Sequence, residues 1–126
     1  SYLVLHIDFS LTKYMELTDL TGQLNLFLHR WEKIYGKDEA EKTASERLQG
    51  IILRASEQIG KQVVVLIDEY DAPLLDSNSD TALQQQLRNE MRKFFSPPQE
   101  VGAVSSLSLH HRHQQVQPTE HLQRTE

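Results

Sequence analysis

The sequence contains no cysteine. That excludes a disulfide framework and any thiolate metal site, and it suits a reducing compartment. No apolar run approaches the roughly 18 residues of a membrane span. No charged-then-apolar leader opens the chain, so a cytoplasmic location is expected. Positive charge is in deficit: 13 Lys and Arg stand against 18 Asp and Glu, for a net charge of −5. A nucleic-acid surface needs a basic patch, and these residues alone do not supply one. Glycine is scarce, with five scattered through 126 residues. None belongs to a G-x-x-x-x-G-K-[ST] loop, whose backbone N–H groups and lysine hold phosphates. Gly60-Lys61 lacks both the leading glycine and the following hydroxyl. An initiator Met is also missing and strand-like residues begin at Tyr2, so the chain reads as a fragment. Its length allows one small domain with one core.

The most informative stretch that is present runs from Gln62 to Asp76, Q-V-V-V-L-I-D-E-Y-D-A-P-L-L-D. Val63 to Ile67 is an unbroken apolar run, the pattern of a strand buried on both faces in a parallel sheet. It closes on Asp68 and Glu69, which alternate in direction at the strand's carboxyl end. Ligands of open α/β sheets bind at that end. This is the layout of a Walker B element: Asp68 is the candidate Mg²⁺ residue, and Glu69 is the candidate catalytic residue that polarises the attacking water. An acidic residue also simply marks where a buried strand surfaces, and the run alone leaves both readings open.

Around this strand the pattern is mixed α/β. Tyr2 to Phe9 reads as a strand that includes His6, a residue more often packed than ligating. Asp8 closes it as Asp68 closes the other. The two acids could share a metal, although polar loop entry is the simpler expectation. After a loop from Ser10 to Asp19, with Thr18 or Asp19 as cap, Leu20, Leu24, Phe27, Leu28, Trp31 and Tyr35 recur at helical spacing. Gly36 suits the helix end. A second helix opens at Ser45, carries Leu48, Ile51, Ile52, Ala55 and Ile59 on one face, and ends at Gly60. Strand, helices and strand make a right-handed crossover between parallel strands. Pro73 should stop the central strand, with Leu74 and Leu75 packing a turn. Thr81 to Phe95 is a third helix, carrying Arg88 and Arg92 one turn apart; these are expected to face water.

The string I-D-E-Y-D-A-P-L-L-D, from Ile67 to Asp76, resembles the V-L-I-D-E-Y-D-x-P-L-L-D signature of the bacterial and archaeal AAA-ATPase-like proteins. Leu3 to Ser10, Arg30 to Gly36 and Arg88 to Ser96 resemble neighbouring pieces of the same family in the same order. The likeness covers roughly Tyr2 to Pro98. It implies a partial P-loop NTPase-like three-layer fold, with two parallel strands and about three helices. It also implies ATP and Mg²⁺ as ligands of the intact relative, with Asp68 at the metal and Glu69 at the water. The phosphate-binding loop of the family precedes the first strand seen here, and a PD-(D/E)XK nuclease-like domain often follows. Missing partners are therefore an N-terminal P-loop segment and a C-terminal domain, with nucleic acid an open question. Residues 1–98 would be the Walker B half of the ATPase domain, inactive without its other half.

The last 28 residues, 99–126, read differently. They are rich in His and Gln and show no evident period, which predicts a disordered tail. Shifting the codons of Val104 to Glu126 by one base allows Y-L-R-L-V-F-I-T-G-I-S-K-F-S-P-L-S-I-F-S-E-L-N. In that reading His110, His111 and Arg112 become I-T-G. The string resembles the family's next strand and the segment after it, so the tail reads as a frameshift that begins near Pro97 to Val101. With that strand lost, one edge of Val63 to Ile67 is expected to stand unpaired.

Three functions compete on this sequence. The leading one is a piece of a P-loop ATPase. A non-catalytic α/β interaction module would keep the scaffold without turnover. A metal-binding protein would instead use His110, His111 and His113, a reading that the frameshift removes.

Overall fold

The computed structural model describes residues 1–95 and the backbone of 105–109. The first strand, β1 (Tyr2–Asp8), leads into a short 3-10 turn at Phe9–Leu11. Two long helices follow, α1 (Leu17–Tyr35) and α2 (Ala44–Ile59), and then the second strand, β2 (Gln62–Asp68). The short α3 (Ala72–Asp76), α4 (Thr81–Phe94) and β3 (Ser105–Leu109) complete the described elements. The sheet order is β1-β2-β3 and both pairings are parallel. The parallel α/β architecture expected from the sequence is thus present, with β2 at its centre.

β1 and β2 pair without a bulge, from Tyr2 opposite Gln62 to Asp8 opposite Asp68. Their sequences explain which side faces inward. Leu5, Ile7, Val63, Val65 and Ile67 are buried in one core cluster. On the opposite face Val4 is 48% exposed, and Val64 is buried outside that cluster. The alternation of a strand makes this division automatic once the register is set.

The helices supply the other wall of the core. Leu20, Leu24, Phe27 and Leu28 of α1 are buried at the spacing of one helical face, and Trp31 and Tyr35 pack partly buried beside them. Phe27 and Trp31 stack with ring centroids 6.1 Å apart. The α1 start lies earlier than the sequence suggested. Asp19 does not precede the helix but sits in its first turn, where its carboxylate accepts from the backbone N–H groups of Met15 (2.8 Å) and Glu16 (3.0 Å). Likewise α2 starts ahead of Ser45. The Thr43 hydroxyl accepts from Glu46 N, and Glu46 Oε1 accepts from Thr43 N, each at 3.0 Å. This reciprocal box satisfies donors that a helix start leaves open. Gly60 ends α2 in the left-handed region, φ +77°, where a side chain would be strained.

α1 and α2 are locked together by charge. Arg47 donates to Glu32 through Nε (2.9 Å) and Nη2 (2.8 Å), while its Nη1 donates to Asn25 Oδ1 at 2.7 Å. Glu32 is buried. Arg47 beside it holds the Glu32 carboxyl below its ordinary pKa, the hydrogen bond contributing most. Nearby, Arg54 donates to Glu41 at 2.8 Å and to the carbonyl of Gly36 at 2.9 Å, which fixes the turn between the helices.

Two expectations are corrected. The strand does end before Pro73, at Asp68, but the turn read for Leu74 and Leu75 is instead an additional short helix, α3, with Pro73 in its first turn. Proline lacks only an N–H that a first turn leaves unbonded, and its fixed φ suits the helix. The free edge of β2 is also filled: β3 pairs from Val63 opposite Ser105 to Ile67 opposite Leu109. A central apolar strand offers its edge N–H and C=O groups to any extended partner. Leu107 and Leu109 alternate with Ser106 and Ser108, a short period that the serines obscured. The remainder of the expected tail, including His110, His111 and His113, lies outside the described residues.

Candidate functional site

Asp68 is the last residue of the central strand, level with Asp8 at the end of β1. The two acids have different surroundings. Asp8 Oδ1 accepts from Ser10 N at 2.9 Å and from Ser10 Oγ at 2.7 Å, so this carboxylate caps the 3-10 turn. Asp68 Oδ2 lies 3.3 Å from His6 Nε2, a contact made across the two strands. His6 and Asp68 share the face of the sheet opposite the core cluster. Their side chains are 48% and 35% exposed.

Glu69 follows immediately, with φ +55°, and is the non-glycine residue with positive φ among the described residues. The left-handed region costs an L-residue roughly 1–2 kcal/mol. Such conformations concentrate where a site must aim a side chain. Glu69 Oε1 is buried, while its backbone carbonyl accepts from Ala72 N at 3.0 Å and opens the turn into α3. Asp68 and Glu69 thus part company at the strand's end, one toward solvent and one toward protein.

The rest of the signature forms the turn into α3 and its contacts. The Asp71 carbonyl accepts from Leu74 N and Leu75 N, each at 3.0 Å, and starts α3. Tyr70 packs partly buried against the core cluster. Asp76 Oδ2 accepts from Tyr14 N at 3.1 Å, drawing the loop after β1 onto the end of α3. Tyr14 is fully buried and donates its hydroxyl to the carbonyl of Phe9 at 2.7 Å. A cleft of about 280 Å³ lies beside this tie, lined by Ser10, Leu11, Thr12, Lys13 and Asp76. Arg88 and Arg92 of α4 are exposed, as expected.

Mg²⁺ takes one or two carboxylates and fills its remaining positions with water and phosphate oxygens. A single part-exposed carboxylate at the end of β2 suits that donor set. Among the described residues no group of three or more His, Cys, Asp or Glu is arranged to hold a metal by itself. Sequence reading singled out Asp68 and Glu69 as candidates but missed two long-range partners, His6 for Asp68 and Tyr14 for Asp76. Each spans 62 residues. The signal for the first was the H-x-D pattern of β1, which becomes informative only once the register is known.

A parallel sheet with an acidic pair closing its central strand defines a class, the α/β domains that work at the carboxyl edge of a sheet. Within that class, residues 1–108 match the AAA-ATPase-like family, described as "Predicted AAA-ATPase". The chain belongs to that family. The match extends past Pro98, where the likeness quoted above stops. A protein of Azotobacter chroococcum mcd 1, described as "Uncharacterized protein in vnfD 5'region", is 30% identical over 93 residues. Those residues are 74% of this chain but only 18% of that relative. No solved structure matches the chain significantly. Among the described residues no helix is long and apolar enough to cross a membrane.

Proposed function

We propose that these residues form the hydrolytic side of an ATPase, with Asp68 holding Mg²⁺ and Glu69 orienting and activating the attacking water. The observation that carries the reading is Glu69 at φ +55°, directly after a central strand that ends on Asp68. The left-handed turn separates the two carboxylates and gives each its own task. When bound, the ion would supply charge neutralisation for the nucleotide's phosphates. Asp68, part-exposed at the strand end, accepts the ion or its water shell. Glu69 takes a proton from water, which needs a carboxylate held in one orientation.

The chain contains no phosphate-gripping loop, so a segment outside these 126 residues would hold the nucleotide, and these residues alone would not turn over ATP. The test uses the longer protein that carries this segment together with such a loop. Glu69→Gln is expected to keep ATP binding and to lose hydrolysis by about 10²-fold or more. Asp68→Asn should raise the Mg²⁺ concentration needed for turnover. Hydrolysis at the unmodified rate in the Glu69→Gln protein would sink the assignment.

A further inference from the structure

We infer that His6 is a positioning residue: its ring orients the Asp68 carboxylate to receive Mg²⁺ and does not itself touch the ion. This rests on the metal role given to Asp68 above. The contact is built into the register of the sheet. His6 pairs with Leu66 and Asp8 with Asp68, so residues 6 and 68 are diagonal neighbours on one face. Long side chains reach one another across that diagonal. His6 Nε2 lies 3.3 Å from Asp68 Oδ2. An ionised carboxylate only accepts hydrogen bonds, so the ring nitrogen that faces it is the N–H donor.

Asp68 is the last residue of β2, and its side chain is 35% exposed. Packing alone does not fix a carboxylate in that position. The ring that meets it stands on β1, which pairs with β2 without a bulge, so the donor is carried by a rigid element. Asp8, level with Asp68, takes its donors from its own loop, Ser10 N and Oγ. Asp68 takes one from across the sheet. A carboxylate has about four acceptor sites, so one N–H bond leaves it able to bind a cation. Carboxylates that ligate metals are themselves hydrogen-bonded, and losing such a partner typically costs about 10–100-fold in metal affinity. A fully formed charge-assisted bond measures about 2.7–2.9 Å. The longer His6–Asp68 bond biases the carboxylate without clamping it, which places the expected loss at the low end of that range.

The experiment titrates Mg²⁺ calorimetrically into the longer protein of the preceding test, loaded with a non-hydrolysable ATP analogue. His6→Leu is expected to weaken Mg²⁺ binding about tenfold. His6→Gln, whose amide N–H reaches as far as Nε2, should restore most of that loss. In an Asp68→Asn background, His6→Leu should bring no further loss, because the pair acts as a unit. Mg²⁺ affinity unchanged by His6→Leu but reduced by Asp68→Asn overturns the inference and leaves the Asp68 assignment standing. A His6→Leu loss that persists in the Asp68→Asn background, or that His6→Gln does not relieve, also overturns it. Mg²⁺ binding indifferent to both residues overturns the Asp68 assignment as well.

Discussion

Asp76 accepts a hydrogen bond from the backbone N–H of Tyr14 at 3.1 Å, joining the end of α3 to the loop that leaves β1. The last acid of the D-E-Y-D-A-P-L-L-D string is therefore a brace for the neighbouring loop.

Asp76→Ala should cost about 1–2 kcal/mol by removing this acceptor from a part-buried amide. Asp76→Asn keeps a carbonyl oxygen and should cost less. Amide hydrogen exchange at Tyr14 checks the mechanism. Faster exchange is expected in the alanine variant, and unchanged exchange would show that the bond contributes nothing.

Glu69→Gly should stabilise the fold, by up to about 1 kcal/mol, because glycine relieves the left-handed backbone at a smaller entropic cost. Glu69→Ala keeps the strain and should bring no gain. Urea midpoints of the two variants separate these outcomes. A glycine variant no more stable than the alanine one would remove strain as a feature of this position.

Arg47→Met leaves the Glu32 carboxylate buried without its bidentate partner and should cost about 3 kcal/mol. Changing Glu32 to Met as well should restore most of that loss. Because the native pKa of Glu32 is lowered, the pair's contribution is fully present above the unfolded-state pKa. It is lost as pH falls through the lowered native value. Acid unfolding of the Arg47→Met protein should lack that component, which denaturant titrations between neutral and acid pH would reveal.

We propose that residues 99–126 are a shifted reading of the family's next strand and the segment beyond it. The shifted frame gives L-R-L-V-F at Ser105–Leu109, the same five residues that pair with β2. Sequencing the coding DNA across Pro97 should find the bases of that frame, continuing as I-T-G. Bases incompatible with it end the proposal. The repaired chain should then outlast the recorded one in thermal unfolding, since L-R-L-V-F is more apolar than the S-S-L-S-L it replaces beside β2.

What the sequence made legible follows from how far each signal reaches. The unbroken run Val63 to Ile67 needed no neighbours to announce a buried strand, and the period of Leu20, Leu24, Phe27 and Leu28 likewise revealed α1. Asp68 and Glu69 were legible because they adjoin that strand. α3 was hidden because Pro73 signals both the end of a strand and the start of a helix, and only the chain's path decides between them. The His6–Asp68 and Tyr14–Asp76 contacts depend on register and on loop direction. Neither is written in any local window.

The partners in β1 and β2 lie 60 positions apart, from Tyr2 with Gln62 to Asp8 with Asp68. The Glu32–Arg47 lock joins helices that are neighbours along the chain, spanning only 15 positions. Local contacts close sooner because they sacrifice less loop entropy. The helical pair is therefore expected to gather first, drawing the strand ends together afterwards. His6 would meet Asp68 among the last events of folding, and pulse-labelled exchange should find the α1 and α2 amides protected before those of β1. A chain caught partway through that order would carry a formed helical pair and an unassembled sheet.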